Sequence, residues 1–236
     1  MTDTTELVRE IREALEEKAD PERIEWAEGN YPTALHVIGV KVPDINTLVK
    51  DLAKRLRKAP ADEVIELAKA LTNTGILECQ QVACKLFDKH KAATAALRLE
   101  DVEALAQGLD NWVSVDNFAG LVAGPAWRQG QIPDDVVRGW ARSEDRWWRR
   151  AAVVCTVALN QKARGGTGDA PRTLDICCLV ASDHDDMVVK ALSWALRELA
   201  KRDAAPVLEF LDEHEEVLAA RVKREVRKKI ETGRKP

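Results

Sequence analysis

Residues 190–201 read Lys-Ala-Leu-Ser-Trp-Ala-Leu-Arg-Glu-Leu-Ala-Lys, and this stretch carries the pattern that decides the fold. Its cationic and aromatic side chains recur every three or four residues, which is the spacing of one face of an α-helix. Those side chains are Lys190, Trp194, Arg197 and Lys201. A face this cationic does not belong in a core, so we predict a helix over residues 185–202 that exposes it.

Patterns of the same period cover most of the remaining chain, and no long run alternates apolar and polar residues as a half-buried strand would. The chain has only 12 glycines and 9 prolines. We predict helices over residues 4–19, 21–29, 45–58, 60–72, 76–90, 99–107, 110–122, 134–141, 145–160, 171–182, 185–202, 204–213 and 216–231. The predicted class is therefore all-α.

The predicted helices fall into antiparallel pairs that recur at roughly forty residues, in the range of HEAT-like repeats. Stacked pairs of this kind build an α–α superhelix, a curved solenoid with a concave surface. No break in composition divides the chain, so we predict one domain over residues 1–236.

Short polar residues beside the predicted helices indicate where several of them begin and end. Asp44, Asp110 and Asp134 each precede or open an apolar helical pattern, so we expect them to be N-caps. The pair Gly124-Pro125 is expected to end the helix over residues 110–122.

The composition argues against several classes of protein. The formal net charge of −4 says little about partners, because the distribution of charge matters more than its sum. The five cysteines, at 79, 84, 155, 177 and 178, lie in apolar helical stretches without a Cys-x-x-Cys pair, so we expect buried, reduced thiols in a cytoplasmic protein. No apolar run reaches the roughly 18 residues of a membrane span, and the polar, acidic N-terminus is unlike a secretion signal.

Two stretches look like ligand sites and have simpler explanations. The glycines of residues 162–170 are not preceded by a strand or followed by Gly-Lys-Ser/Thr, as a phosphate cradle requires, so we predict a flexible loop. The run Asp183-His184-Asp185-Asp186 precedes an apolar helix, where acidic capping explains it. No two of the four histidines have the spacing of metal ligands, and we expect neither a metal nor a cofactor.

Residues 110–150 contain the candidate catalytic surface. Trp112 and Asp116 are four residues apart, so a helix places the indole and the carboxylate on one face, one turn apart. Aspartate is disfavoured in the middle of a helix, which calls for an explanation of Asp116. From the residues alone, a functional role and a structural ion pair are equally open.

Arginines and lysines supply a candidate binding surface. Arg149 and Arg150 open an apolar helix, and either they bind a ligand or they pair with Glu144 or Asp145. An indole flanked by cations, as at Trp194, suits a phosphodiester backbone. The basic C-terminal helix either extends this footprint or is a solvated face favoured by the helix dipole. Its cations are Arg221, Lys223, Arg224, Arg227, Lys228 and Lys229.

The chain resembles the AlkD-like DNA alkylation repair glycosylases, a family built from HEAT-like repeats. The stretches that carry the resemblance are Val-Ile-Gly-Val-Lys-Val-Pro-Asp (37–44), Asp-Asn-Trp-Val-Ser-Val-Asp (110–116), Trp-Ala-Arg-Ser-Glu-Asp-Arg-Trp-Trp-Arg-Arg-Ala-Ala (140–152) and residues 190–201. The resemblance runs from about Tyr31 to Lys228, and its motifs are specific in combination.

The resemblance implies excision of cationic N3- and N7-alkylpurines from duplex DNA, without a pocket for a flipped base. It places the catalytic aspartate of the family on Asp116 and its cradle tryptophans on Trp112 and Trp194. The phosphate-binding arginine falls on Arg150. We predict a monomer without a cofactor, whose other DNA-binding residues are Arg149, Lys190, Arg197, Lys201, Arg224, Arg227 and Lys228.

Two positions depart from the family pattern, since Asn46 and Gln80 stand where it has arginines. Two other functions stay open beside the glycosylase. One is a DNA-structure-binding protein without catalytic activity, which would recognise bent or branched DNA by shape. The other is a HEAT-like protein scaffold, which leaves the cationic face of residues 190–201 without a purpose.

Overall fold

The computed structural model describes residues 3–234, and regular structure in that range is helical apart from one bridge between His36 and Ile76. The all-α class predicted from the sequence is confirmed. The chain divides into two compact units, with the boundary between Val122 and Ala123. Across residues 3–234, no helix combines the length and the apolar character needed to cross a bilayer.

The first unit is built on two central helices. Its helices are α1 (Thr4–Glu16), α2 (Pro21–Asn30), α3 (Val42–Arg55), α4 (Ala61–Thr72), α5 (Leu77–Lys89), α6 (Lys91–Ala96), α7 (Leu99–Leu105) and α8 (Trp112–Phe118). Helices α4 and α5 pack against each other; α1 packs on α4, and α3 and α8 pack on α5. Among the buried residues of α5 are Glu78, Gln80 and Gln81, so this helix carries polar anchors into the core.

The second unit is likewise organised around two helices. Its helices are α9 (Gly124–Arg128), α10 (Asp134–Ala141), α11 (Arg146–Asn160), α12 (Ala170–Leu179), α13 (Asp186–Ala200), α14 (Ala205–Glu213) and α15 (Ala220–Thr232). Helix α13 packs against α11 and α15, and α11 also contacts α9 and α10. Every residue of α11 from Arg150 to Asn160 is buried, so this arginine is drawn into the core of the unit.

The helix expected over residues 45–58 begins and ends three residues earlier, as α3. Lys41 occupies the N-cap without a side-chain hydrogen bond, and Asp44 lies in the first turn. Pro43 explains the early start, because its fixed φ and missing N–H suit the first turn of a helix. The prediction of an Asp44 cap is wrong, although the helix dipole favours its carboxylate at this end.

The helix expected over residues 110–122 does not end at Gly124-Pro125. At Ala119 the α-helical path of α8 gives way to a π-helical turn, Ala119–Ala123, and α9 follows directly. Pro125 lies in the first turn of α9, a position that its fixed φ suits. The predicted stop is wrong because this dipeptide also suits the start of a helix.

Residues 162–170 make defined contacts with their surroundings, and the flexibility expected of this loop stays a prediction. A 3₁₀ turn over Lys162–Arg164 leads into Gly165, which has φ 83°. Arg202 donates hydrogen bonds to the carbonyl oxygens of Asn160 and Gly166. A Cβ atom on Gly166 would lie 2.7 Å from the backbone nitrogen of Gln161, so the glycine permits a close approach of two chain segments.

Four of the five cysteines are buried, and Cys178 is exposed. Burial raises the pKa of Cys79 to about 11 and that of Cys84 to about 12, so these thiols stay protonated at neutral pH. The Sγ atom of Cys178 lies 3.5 Å from Nε2 of His214. The expectation of burial fails at Cys178 because Cys177 takes the inward face, and successive helical side chains point about 100° apart.

Candidate functional site

Helix α8, which carries two of the predicted site residues, is capped by Asn111 and not by Asp110. The fully buried Asn111 side chain accepts hydrogen bonds of 2.9 and 3.0 Å from two N–H groups of the first turn. Asp110 instead accepts from the Thr33 hydroxyl and the Ala34 N–H, each at 2.5 Å. The start of α8 is thereby tied to the segment that follows α2.

Replacing Asn111 by alanine is expected to lower the free energy of unfolding by about 1–2 kcal/mol, because two buried N–H groups lose their acceptor. Urea unfolding followed by circular dichroism measures the change. The matched control is Asn46→Ala on the exposed face of α3, expected to change the free energy by less than about 0.5 kcal/mol. A loss at 111 no larger than at 46 would contradict the cap assignment.

The Trp112 indole is held from two directions. Its Nε1 donates a hydrogen bond to the Asn30 carbonyl oxygen at 3.3 Å. Tyr31 meets the ring edge-on, with centroids 5.8 Å apart and an interplanar angle of 90°. Tyr31 belongs to a small core cluster with Ala27 and Leu77, against which Trp112 packs. The indole is partly buried, so its orientation is set while part of its surface remains accessible.

Tyr31 is a member of this site that is not predicted from the sequence. It is the only tyrosine of the chain, and its ring lies 5.6 Å from that of Trp26, in an edge contact at 75°. Trp26 is 42% exposed and lies beneath the Arg23 guanidinium at 4.2 Å. Desolvation raises the pKa of Tyr31, so its hydroxyl stays protonated at neutral pH. The available signal was its position at the start of the segment that carries the family resemblance.

Asp116 lies one turn after Trp112 on α8, as the spacing predicts, and it is partly exposed. Val115 and Phe118 of the same helix are fully buried, so the carboxylate emerges at the border between core and surface. A charge at such a border is screened less than one in bulk water. The position suits a group that acts on a nearby cation through its field.

A buried carboxylate organises the segment that contains residues 37–44. Glu78, 2% exposed, accepts hydrogen bonds from the N–H groups of Ile38 (3.0 Å), Gly39 (2.8 Å) and Val40 (3.2 Å). Gly39 has φ 87°, and a Cβ atom there would lie 2.6 Å from the Asp20 carbonyl oxygen. Glu78 and Gly39 thus set the backbone conformation of residues 37–44, the first stretch that carries the family resemblance.

Arg149 and Arg150 are adjacent in α11 and differ in their surroundings. Arg150 is 6% exposed, and its Nη1 donates to the Met187 carbonyl oxygen at 2.5 Å. Arg149 forms an ion pair of 2.6 Å with Asp183 and donates to two backbone carbonyls of the preceding loop. Its acidic partner therefore comes from the segment before α13, and not from the nearer acids of its own loop.

Helices α13 and α15 border a groove of about 480 Å³ in the second unit. Its lining residues are Lys190, Trp194, Arg197, Glu198, Lys201, Arg221, Glu225 and Lys229. The groove thus contains all four residues of the face predicted from residues 190–201, with five cations against two carboxylates. Lys190 pairs with Asp186 at 2.6 Å and Lys201 with Glu198 at 2.5 Å. Both lysines are well exposed, and such pairs are weak enough for a phosphate to replace the carboxylate.

Helix α15 presents further cations in two groups. Arg227 pairs with Asp212 at 2.9 Å, and Lys223 pairs with Glu215 at 3.1 Å. Arg224 and Lys228 are exposed and form no ion pair with any residue between 3 and 234. Of the predicted binding residues on α15, these two offer their charge to solvent without an acidic competitor.

The structure brings the predicted site residues together in two groups. In the first unit, Trp112 and Asp116 lie on successive turns of α8. In the second unit, the four residues of the predicted face share the groove, and Arg150 is a buried residue of α11. In the described part of the chain, no three His, Cys, Asp or Glu side chains are grouped so that they could hold a metal ion.

Comparison with known proteins gives one family and one fold. A sequence model of the family described as "DNA alkylation repair enzyme" matches residues 11–230. No curated protein matches the chain. A solved structure, described as a predicted DNA alkylation repair enzyme from Enterococcus faecalis, is similar with a TM-score of 0.70 at 20% identity, covering 91% of this chain and 98% of that chain. At this identity, the likeness shows the fold.

Proposed function

The chain belongs to the DNA alkylation repair enzyme family, and from this premise we propose that it is a DNA glycosylase. Its substrates are cationic N3- and N7-alkylpurines in duplex DNA, which it hydrolyses at the glycosidic bond. The observation that carries the proposal is the partly exposed carboxylate of Asp116, one turn after an indole whose orientation is set. The family membership supports a repair enzyme, and Asp116 supplies the chemistry.

The chemistry follows from the charge of the damaged base. An alkylated purine already carries a positive charge, so it leaves with the glycosidic electron pair as a neutral base and needs no protonation. Positive charge then develops on the deoxyribose, as an oxocarbenium-like species. Asp116 stabilises that charge and positions the water that bonds to the sugar carbon and releases a proton to solvent. This electrostatic role requires a charged group already in place.

The neighbouring groups bind and orient the nucleotide. Trp112 and Trp194 clasp the deoxyribose and present aromatic surface to the developing positive charge. Arg150 holds a phosphate, with its guanidinium fixed by the bond to the Met187 carbonyl oxygen. That these groups act on a single nucleotide is part of the proposal.

Backbone binding falls to the cations of α13 and α15. Arg224 and Lys228 meet phosphates directly, and Lys190 and Lys201 exchange their acidic partners for phosphate oxygens. Arg197 binds phosphate from the same face of α13. Arg149, held by Asp183, supports Arg150 from the adjacent position. Of the two departures from the family pattern, Gln80 is buried and donates to the Gln107 carbonyl oxygen, while Asn46 is exposed on α3. Only the departure at Asn46 removes a cation from the surface.

Release of 7-methylguanine from N7-methylated duplex DNA tests the proposal. We expect the wild-type protein to release the base and to leave an equal number of abasic sites, and to release nothing from unmethylated duplex. Binding of DNA without release would favour the non-catalytic DNA-structure-binding alternative. Neither binding nor release would favour a scaffold and overturn the proposal.

A further inference from the structure

The groove of the second unit contains a carboxylate in the midst of its cations. Glu225 of α15 accepts a hydrogen bond from the Ser193 hydroxyl at 2.6 Å and another from Nε of Arg221 at 2.9 Å. Nη2 of Arg197 lies 3.9 Å from the same carboxylate. The Glu225 side chain is 16% exposed, so it is enclosed by these donors and not free in solvent.

A carboxylate in this place repels an anionic ligand, so its presence among the cations calls for another role. Asp186, which lies beside two of the same cations, is an acid that only forms ion pairs with them. Its side chain is 60% exposed and pairs with Lys190 at 2.6 Å and Arg221 at 3.1 Å. Removing such an exposed acid frees two cations at little structural cost. Glu225 differs because three groups from two helices converge on it.

Arg221, which is hydrogen-bonded to Glu225, and Arg197, which forms a longer ion pair with it at 3.9 Å, keep unused donors. Nε of Arg197 donates to the Ser193 carbonyl and hydroxyl oxygens, and Nε of Arg221 donates to Glu225. Within residues 3–234, Nη1 of Arg197 and Nη2 of Arg221 make no hydrogen bond. A guanidinium held through Nε, with one amino group left over, is oriented to donate from that group to a second partner such as a phosphate oxygen.

We propose that Glu225 is the positioning residue of this groove, which holds Arg197 and Arg221 so that their spare amino groups bind adjacent phosphates of one DNA strand. The inference rests on the proposed function in one respect, that the ligand is DNA. It requires no chemistry at the lesion, so it applies equally to undamaged duplex.

Glu225→Gln and Asp186→Asn form a matched pair, because each removes one negative charge beside Arg221. If net charge alone mattered, both would bind DNA more tightly. The positioning role predicts opposite results. Asp186→Asn should tighten binding about two-fold. Glu225→Gln should weaken it about five- to ten-fold, because the amide has no charge and only one acceptor oxygen for the donors that the carboxylate held.

The measurement is the dissociation constant for undamaged duplex DNA by fluorescence anisotropy, over about 50 to 200 mM salt, where the slope counts the phosphates engaged. The slope should fall by about one phosphate in Glu225→Gln and stay unchanged in Asp186→Asn. Glu225→Asp, which keeps the charge, should recover part of the slope. Urea unfolding of each variant shows whether weaker DNA binding comes from a less stable fold or from displaced arginine side chains.

Ser193→Ala provides a second test that leaves the charge of the groove unchanged. It removes one of the donors that hold Glu225, so the slope should fall in the same direction by a smaller amount. Tighter or unchanged binding by both Glu225→Gln and Ser193→Ala would overturn the inference, even if the wild type excises alkylpurines normally. A wild type that binds DNA without excising any base would overturn the glycosylase and leave this inference standing.

Discussion

Replacement of Asp116 by asparagine is expected to slow the release of 7-methylguanine about 10²–10³-fold, the range for removal of one preorganised electrostatic group. Asparagine has nearly the shape of aspartate, so the packing of α8 against α5 is retained while the negative charge is lost. The loss should affect the bond-breaking step, because only there does the sugar acquire positive charge. Affinity for undamaged duplex should stay within about two-fold, since a carboxylate contributes nothing favourable to phosphate binding.

Single-turnover release, with the enzyme in excess over methylated duplex, isolates that step. The matched control is Asp51→Asn on α3, an exposed acid whose partner is Lys54 at 2.8 Å. The control should excise at the wild-type rate. Equal release by wild type and Asp116→Asn would remove Asp116 from the mechanism, and the role of α8 would then be structural.

Replacement of Glu78 by alanine is expected to lower the free energy of unfolding by about 3–5 kcal/mol, because three successive N–H groups lose a charged acceptor in the interior. The segment of residues 37–44 has no other anchor of this kind among the described contacts, so it should loosen first. Urea unfolding gives the free energy. Hydrogen exchange should show faster exchange at Ile38, Gly39 and Val40 than elsewhere in the unit.

Two controls separate this anchor from a general loss of charge. Glu78→Gln keeps one carbonyl acceptor, so its free energy of unfolding should lie between those of the wild type and Glu78→Ala. Glu66→Ala removes an acid that is 63% exposed and paired with Lys69, and should change the free energy by less than about 0.5 kcal/mol. A cost at Glu78 below about 1 kcal/mol would mean that water replaces the carboxylate without difficulty.

The helices are predicted well where one amphipathic stripe runs between clear start and stop residues. For α11, the helix predicted over residues 145–160 is found at Arg146–Asn160, and Asp145 caps it by accepting a hydrogen bond from the N–H of Trp147. For α13, the periodicity of residues 190–201 places all four cationic and aromatic residues on the groove side. These features depend on residues within one helix, which is the information that a local pattern contains.

The errors arise where two local solutions are equally good and a distant contact selects one. Asp110 and Asn111 are both good caps, and Thr33 and Ala34 engage Asp110, which leaves Asn111 to cap α8. The glycines of residues 162–170 likewise give no sign that Arg202, beyond the end of α13, donates hydrogen bonds to the carbonyl oxygens of Asn160 and Gly166. Neither selecting partner is visible from the stretch that it decides.

The candidate site shows the same division. The placement of Trp112 and Asp116 on one face of α8 follows from their spacing. The contacts that Asn30 and Tyr31 make with the indole come from the end of α2, which is distant in sequence. Glu225 lies in a basic helix and has the sequence pattern of a solvated acid, although two of its three partners, Ser193 and Arg197, are on α13. Residues that act through a neighbour are the ones that sequence patterns do not reveal.

The anchoring of Trp112 has a consequence for how the chain can be shortened. The ring depends on the end of α2, some eighty positions earlier, for both its hydrogen bond and its edge contact. Helix α2 is therefore needed for the placement of the indole, although it contains none of the predicted site residues. A truncation that removed it would retain every catalytic candidate named above. The Trp112 indole would, however, lose its hydrogen bond to Asn30 and its edge contact with Tyr31.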